Sequence, residues 1–320
     1  MTTTRPPVEP PSDDWRDAIR LVSPTEERNP RTTKIDLLPS QEVVRLILDE
    51  DAGVASAVRA QRYRLTQAVD LAVEAIRAGG RVHYVGSGTS GRLGVLDAVE
   101  LMPTYGVGTE WFDAHLAGGP SAMMTSVEGA EDDVEAGRAD LDHVEASDVV
   151  VGLAASGRTP YVRGALALAR ERGARTVLVS ANPSAPLAGT VDVAILVDTG
   201  PEAVTGSTRM KAASAQKIVL NTFSTAVMIR LGKTYSNLMI DVRATNAKLR
   251  ARLVRLLSQA TGLDTESCAA VLAEAGGEVQ VALVTLLAGT DVATAREALG
   301  DGAPGGVRAA VDRLGGVPPR

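Results

Sequence analysis

Short apolar runs, each handed through a loop of glycine and hydroxyl residues to a segment of helical period, constrain this chain more than any other feature. Arg81-Val82-His83-Tyr84-Val85 leads into Gly86-Ser87-Gly88-Thr89-Ser90-Gly91-Arg92-Leu93-Gly94. Asp148-Val149-Val150-Val151-Gly152-Leu153-Ala154 leads into Ala155-Ser156-Gly157-Arg158-Thr159-Pro160. Runs this apolar, such as Val193-Ala194-Ile195-Leu196-Val197, read as strands covered on both faces, where a sheet with one wet face would alternate. The expected fold class is therefore α/β, a doubly wound parallel sheet with helices on both faces. Expected strands lie near 81–86, 148–154, 175–180 and 191–197. Expected helices run over 90–102, stopped by Pro103, then after Gly129, over 161–172 and over about 209–231.

Outside that alternation the character changes. The first residues, to about 24, are polar and rich in proline and are expected to be a disordered tail. Residues 25–80 are expected to be a helical N-terminal segment, with Leu46, Val54, Val58, Leu65, Val69, Leu71 and Ile76 at helical spacing up to Gly79-Gly80. The sheet domain then spans 81–240. Residues 241–320 read as a small C-terminal helical module, a packing or dimerisation appendage without a catalytic constellation of its own.

Both loops are expected at the C-terminal ends of strands, where open α/β sheets bind ligands. Glycine lets backbone approach an anion, Ser and Thr donate hydrogen bonds, and the following helix offers unpaired N–H groups with a positive dipole end. A phosphorylated small molecule suits such a cradle. Neither loop carries the Gly-Lys-Ser/Thr ending of a P-loop or a clean dinucleotide fingerprint, which lowers the odds of ATP or NAD. A third loop, Gly200-Pro201-Glu202-Ala203-Val204-Thr205-Gly206-Ser207-Thr208-Arg209-Met210-Lys211, adds hydroxyls and two cations that neutralise phosphate or carboxylate well, although Ser207 and Thr208 also suit a helix cap. Two acids stand out. Glu100 lies in Leu96-Asp97-Ala98-Val99-Glu100-Leu101-Met102-Pro103, among apolar neighbours expected to desolvate it and raise its pKa, as a general acid requires. Glu131 follows Glu128-Gly129-Ala130 at an acidic helix start, a position that the helix dipole alone also favours. A regular helix from Ser90 carries Glu100 roughly 15 Å along its axis, so it is expected to face a site other than its own loop, across a subunit interface.

The net charge of -6 argues against a general nucleic-acid binder. The lone cysteine, Cys268, has no disulfide or metal partner and reads as a small buried hydrophobe suited to a reducing compartment. The three histidines, His83, His115 and His143, show no metal-type spacing, and His83 reads as a satisfied structural residue within a strand, so no metal site is expected. No signal-peptide core or long apolar stretch is visible, and a cytoplasmic protein without membrane association is expected.

With these motifs in view, the chain resembles the N-acetylmuramic acid 6-phosphate etherases of the sugar isomerase (SIS) domain superfamily. The resemblance runs from Thr25-Glu26-Glu27-Arg28-Asn29-Pro30 into the C-terminal module. It rests on the stretch from Gly88 to Ala98, on Glu128-Gly129-Ala130-Glu131-Asp132, on the stretch from Ala154 to Val162, on Thr205-Gly206-Ser207-Thr208-Arg209-Met210-Lys211-Ala212, and on Asn237-Leu238-Met239-Ile240-Asp241-Val242. It implies the SIS fold and a homodimer with sites near the subunit interface. The implied enzyme needs no cofactor and cleaves the D-lactyl ether of N-acetylmuramic acid 6-phosphate by elimination and hydration. It implies Glu100 and Glu131 as the catalytic pair, the first as proton donor, with the reverse division open. Ser87, Thr89, Ser90, Ser156, Gly157 and Thr159 would hold phosphate and sugar hydroxyls, and Glu202, Ser207, Arg209 and Lys211 would close the site. Two other readings fit similar cradles: a non-catalytic sugar-phosphate sensor akin to glucokinase regulatory proteins, and a sugar-phosphate isomerase.

Overall fold

The computed structural model describes residues 23–241, 247–300 and 306–316. Its centre is a parallel five-stranded sheet in the order β2-β1-β3-β4-β5. The strands are β1 (Val82–Gly86), β2 (Phe112–Leu116), β3 (Val149–Leu153), β4 (Arg175–Ser180) and β5 (Val193–Leu196). Register places Val82 between Phe112 and Val149, and Val177 opposite Val193. Every residue of β1 and β3 is buried, as continuous apolar runs covered on both faces must be.

One strand corrects the sequence expectation. β2, Phe112-Asp113-Ala114-His115-Leu116, is an edge strand in which only the two end residues are fully buried. A strand with one neighbour and a half-wet face has no need of a continuous apolar run, so the pattern that marks the central strands passes over it.

Helices cover both faces. α2 (Val54–Ala60), α3 (Arg62–Arg77), α4 (Gly88–Tyr105) and α7 (Lys211–Arg230) pack against Val82, Tyr84, Val149, Val151, Val177 and Val179. α1 (Ser40–Asp51) precedes them along the chain. The opposite face carries α5 (Val134–Ala139) and α6 (Pro160–Glu171), with Tyr161, Val162, Ala165 and Leu166 against Val85, Val150 and Leu178. Strand alternation explains the split, since successive side chains leave a strand on opposite sides.

Pro103 does not stop α4, which runs on to Tyr105 and ends where Gly106 adopts φ +66°. The hydrogen bond that proline forfeits would reach back to Val99, on an exposed side of the last turns, where its loss disturbs no packing.

Beyond α7, β6 (Thr234–Tyr235) and β7 (Leu238–Met239) form a short antiparallel pair. Five helices follow: α8 (Ala247–Thr261), α9 (Thr265–Glu274), α10 (Val279–Ala288), α11 (Val292–Leu299) and α12 (Gly306–Arg313). Leu253, Leu257, Ala282, Leu283 and Val311 give them a core of their own, which also buries Cys268. Asp264 and Asp291 cap α9 and α11 through their carboxylates. Of the expected tail, residues 1–22 lie outside the described residues, whereas Ser23 is buried and Pro24 opens a 3-10 turn. The expected helix start at Val242 likewise lies outside the described residues. No helix among the described residues is long and apolar enough to cross a membrane.

Candidate active site

β1 turns into α4 with almost no connecting chain. The turn closes because Gly86 and Gly91 touch backbone to backbone; a Cβ on Gly91 would lie 2.4 Å from the Gly86 carbonyl oxygen. Ser87 is the N-cap in extended conformation, and its side chain makes no cap bond to the helix. The first turn bond runs from Gly91 N–H to Ser87 O (3.1 Å), so the N–H groups of Gly88, Thr89 and Ser90 precede the ladder. Ser87 and Thr89 are half-buried beside them and Ser90 is 9% exposed. Backbone donors, hydroxyls and the positive dipole end therefore lie together at the start of α4, the kind of helix start that binds anions.

The second loop is built differently. Gly157 adopts φ +69°, and a Cβ there would lie 2.2 Å from the Ala185 methyl carbon, so only glycine fits. Ser180 Oγ donates to Ala155 O (2.9 Å), Asn182 Nδ2 to Ser156 O (3.2 Å) and Leu187 N–H to Gly157 O (3.1 Å), which fastens the loop to the end of β4. Thr159 is the N-cap of α6, again without a side-chain cap bond, and Pro160 occupies the first turn. Ser156 and Thr159 are half-buried.

The third loop departs from expectation. Glu202 is buried, and its two carboxylate oxygens accept from Lys211 N–H and Ala212 N–H (2.9 Å each), closing the start of α7 from inside. Burial pushes the Glu202 carboxyl above its ordinary range, against the pull of the Ala212 and Lys211 N–H groups. Lys211 points into the fold, where Nζ meets Glu50 Oε2 at 2.9 Å, both side chains being under 5% exposed. Arg31 Nε holds the other Glu50 oxygen at 2.7 Å. Burial raises the Glu50 pKa, but the hydrogen bonds from Arg31, Lys211 and Asn29 outweigh it and bring it to about 2. Glu202 and Lys211 thus shape the loop from beneath, leaving half-buried Ser207 and exposed Arg209 at its rim. The segment before α1 clamps the same loop: Thr32 Oγ1 donates to Ala203 O (2.8 Å), Asn29 Nδ2 to Pro201 O (3.2 Å), and Gly206 N–H to Thr25 O (3.0 Å). Sequence reasoning missed this clamp and Glu50, because the partners stand 161 to 181 positions apart.

The two glutamates occupy different neighbourhoods. Glu131 lies in the turn before α5, and its carbonyl accepts the Tyr161 N–H (3.0 Å), which fixes its backbone against the first turn of α6 and so beside the second loop. Its side chain is exposed. Glu100 lies roughly 18 Å along α4 from Gly88, at about 1.5 Å per residue. The expected desolvation is not provided within one chain: Glu100 is exposed, and its neighbours Leu96, Val99 and Met102 are themselves 45%, 58% and 53% exposed. Asp97, one turn earlier, was hidden in the same motif; it is buried, accepts from Tyr84 Oη (2.8 Å) and Ser224 Oγ (3.2 Å), and so ties α4 to β1 and α7. Burial raises its pKa despite those bonds. A cavity of about 990 Å³ in the C-terminal module, lined in part by Asp241, Arg250, Gln280 and Arg296, contains none of the residues expected at the site.

Comparison with known proteins identifies the family. The family model for the glucokinase regulatory protein N-terminal SIS domain matches residues 64–170, and that for the SIS domain matches residues 123–226. A phosphoheptose isomerase structure from Francisella tularensis, 13% identical, aligns over 59% of this chain and 98% of that one, with a TM-score of 0.48. The N-acetylmuramic acid 6-phosphate etherase of Thermobifida fusca is 58% identical over 265 residues, which cover 83% of this chain and 87% of that one. The etherase of Symbiobacterium thermophilum is 54% identical over 84% of this chain and 90% of its own. That of Rubrobacter xylanophilus is 52% identical over 90% of this chain and 95% of its own. Identity of this degree along nearly the whole length means that the chain belongs to the N-acetylmuramic acid 6-phosphate etherase family and carries an SIS domain.

Proposed function

We propose that this chain is a carbon–oxygen lyase that cleaves the D-lactyl ether of N-acetylmuramic acid 6-phosphate, giving N-acetylglucosamine 6-phosphate and D-lactate. The observation that carries the reading is the pair of helix starts, α4 and α6, left open by their own caps while α7 is closed by Glu202. Ser87, Thr89 and Ser90 with the first loop, and Ser156, Gly157 and Thr159 with the second, bind the phosphate and sugar hydroxyls. Ser207 and Arg209 close the rim, and Glu202 and Lys211 hold that rim in place.

In the ring-opened sugar the C1 aldehyde acidifies the C2 proton. Glu131 removes that proton, the C3–O bond breaks with its electron pair passing to the lactate oxygen, and Glu100 protonates that oxygen. Water then adds across the C2–C3 double bond, its oxygen to C3 and a proton to C2. Glu100 does this work at the neighbouring subunit's cradle: the chain forms a homodimer, and a second copy covers the Leu96, Val99 and Met102 stripe, supplying the desolvation that the single chain lacks. The sugar-phosphate domain spans 81–240, with 241–320 as a helical appendage. A cytoplasmic location suits the single free cysteine.

The test is D-lactate release from N-acetylmuramic acid 6-phosphate by the purified chain. Release by the parent is expected, with kcat lowered about 10²- to 10⁴-fold in Glu100→Gln and in Glu131→Gln. Exchange of the C2 proton with solvent separates the roles, surviving in Glu100→Gln and ceasing in Glu131→Gln. Tight sugar-phosphate binding without lactate release would favour a sensor instead, and aldose–ketose interconversion would favour an isomerase.

A further inference from the structure

Folding gathers what the sequence scatters. The chain has three histidines, 28 to 60 positions apart, and all three meet on one face of the sheet. His83 comes from β1, His115 from edge strand β2, and His143 from the turn after α5. Their ring centroids stand 5.3, 5.4 and 5.6 Å apart, close to an equilateral triangle. Asp113, opposite His83 in the strand register, joins them. Each of the four offers one ligand atom, and these atoms all lie within 4.8 Å of one another.

We propose that His83, Asp113, His115 and His143 bind a divalent first-row transition ion, zinc being the ion that suits the set best. Tetrahedral zinc with bonds near 2.0–2.1 Å spaces its ligand atoms by about 3.3 Å. His83 Nδ1 and His115 Nε2 stand 3.2 Å apart, and His115 Nε2 and Asp113 Oδ2 3.8 Å. Three imidazoles and a carboxylate form a donor set of the borderline kind that zinc prefers to magnesium or calcium.

The surroundings are arranged as a ligating histidine needs. His83 is fully buried, and its Nε2 makes no hydrogen bond. That nitrogen faces Asp148 Oδ2 at 3.4 Å, a close approach just short of an aligned bond, while Nδ1 faces the other ligands. Asp148 is itself immobilised, accepting from Arg81 N–H (2.8 Å) and Glu145 N–H (2.9 Å). A carboxylate hydrogen-bonded to the far ring nitrogen fixes tautomer and orientation and raises ligand basicity, and a small closing of this approach would complete that bond. His143 and Asp113, with side chains 42% and 28% exposed, leave the ion a route from solvent. A His83–His115 hydrogen bond alone would account for two of the rings; it gives no reason for His143 and Asp113 to converge on them.

The site stands apart from the sugar cradles. His83 precedes Ser87 by four strand residues, about 13 Å. The ion would fasten edge strand β2 to β1 and to the turn after α5, bracketing the segment that carries Glu131. It acts as a staple on the fold and takes no part in the reaction.

The experiment is zinc titration of untagged, chelator-stripped full-length protein by calorimetry, with cobalt absorption as a second readout. One equivalent should bind saturably at micromolar or lower concentration, raise the Tm, and give cobalt the intense visible bands of four-coordinate geometry. His143→Ala removes a half-exposed side chain and should weaken binding at least about tenfold with the circular dichroism unchanged; Asp113→Asn should do the same. Cys268→Ser should leave binding unaltered. Absence of saturable binding up to about 100 µM zinc, or undiminished binding in His115→Ala/His143→Ala, would overturn the site.

Discussion

Ser90 is a nearly buried hydroxyl at the start of α4, and its loss should act on binding rather than on chemistry. Ser90→Ala is expected to raise KM with kcat nearly unchanged, because a phosphate contact is made equally in ground and transition states; steady-state kinetics checks it. His83 sets a pH dependence of another kind. Its folded pKa of about 4 lies below the ordinary 6.5 through burial and the nearby His115. Stability from this neutral imidazole is therefore fully present above pH 6.5 and is lost as pH falls through 4, by roughly 3 kcal/mol in all. Glu50, with a folded pKa of about 2 against 4.5, adds a second loss that begins only below pH 4.5. Melts of the metal-stripped protein should show Tm falling in these two stages, and His83→Gln should flatten the upper one. A Tm independent of pH from 7 to 4 in the parent would contradict the burial of His83 as a neutral base.

The two loops make different demands on their glycines. Gly157 has both positive φ and no room for a Cβ, whereas Gly88 has φ +53° but nothing within 4 Å of a Cβ. Gly88→Ala should cost about 1 kcal/mol, the backbone penalty alone. Gly157→Ala must also displace Ala185, so its cost should exceed about 2 kcal/mol and affinity for the sugar phosphate should fall with it; denaturant melts and binding titrations separate the pair. Both loops, the central strands and the long helix into α7 were legible because each is a local pattern of a few residues. β2 was not, since an edge strand needs only Phe112 and Leu116 inside. Lys211 is expected as a ligand contact from the hydroxyls and cations at a helix start, and Glu202 from the family resemblance. The Lys211 ammonium instead meets Glu50, 161 positions before it, and no local pattern reveals a pair so distant. The histidine cluster escapes for the same reason: its members have no metal-type spacing along the chain and converge only across β1, β2 and the turn after α5.

At the scale of the molecule, α4 presents Leu96, Val99 and Met102 to solvent around the exposed Glu100, an arrangement that a second copy would cover. Val99→Asp should turn the proposed dimer into a folded monomer with little activity, as light scattering and circular dichroism together would show; a dimer of unchanged mass and full activity would remove α4 from the proposed interface. The chemistry itself is read most directly by mass spectrometry of both products formed in H₂¹⁸O. Elimination followed by hydration predicts one solvent oxygen at C3 of N-acetylglucosamine 6-phosphate and none in the lactate ether oxygen. Label in the lactate with an unlabelled sugar C3 would mean attack on the lactyl carbon, and would contradict the elimination assigned to Glu100 and Glu131.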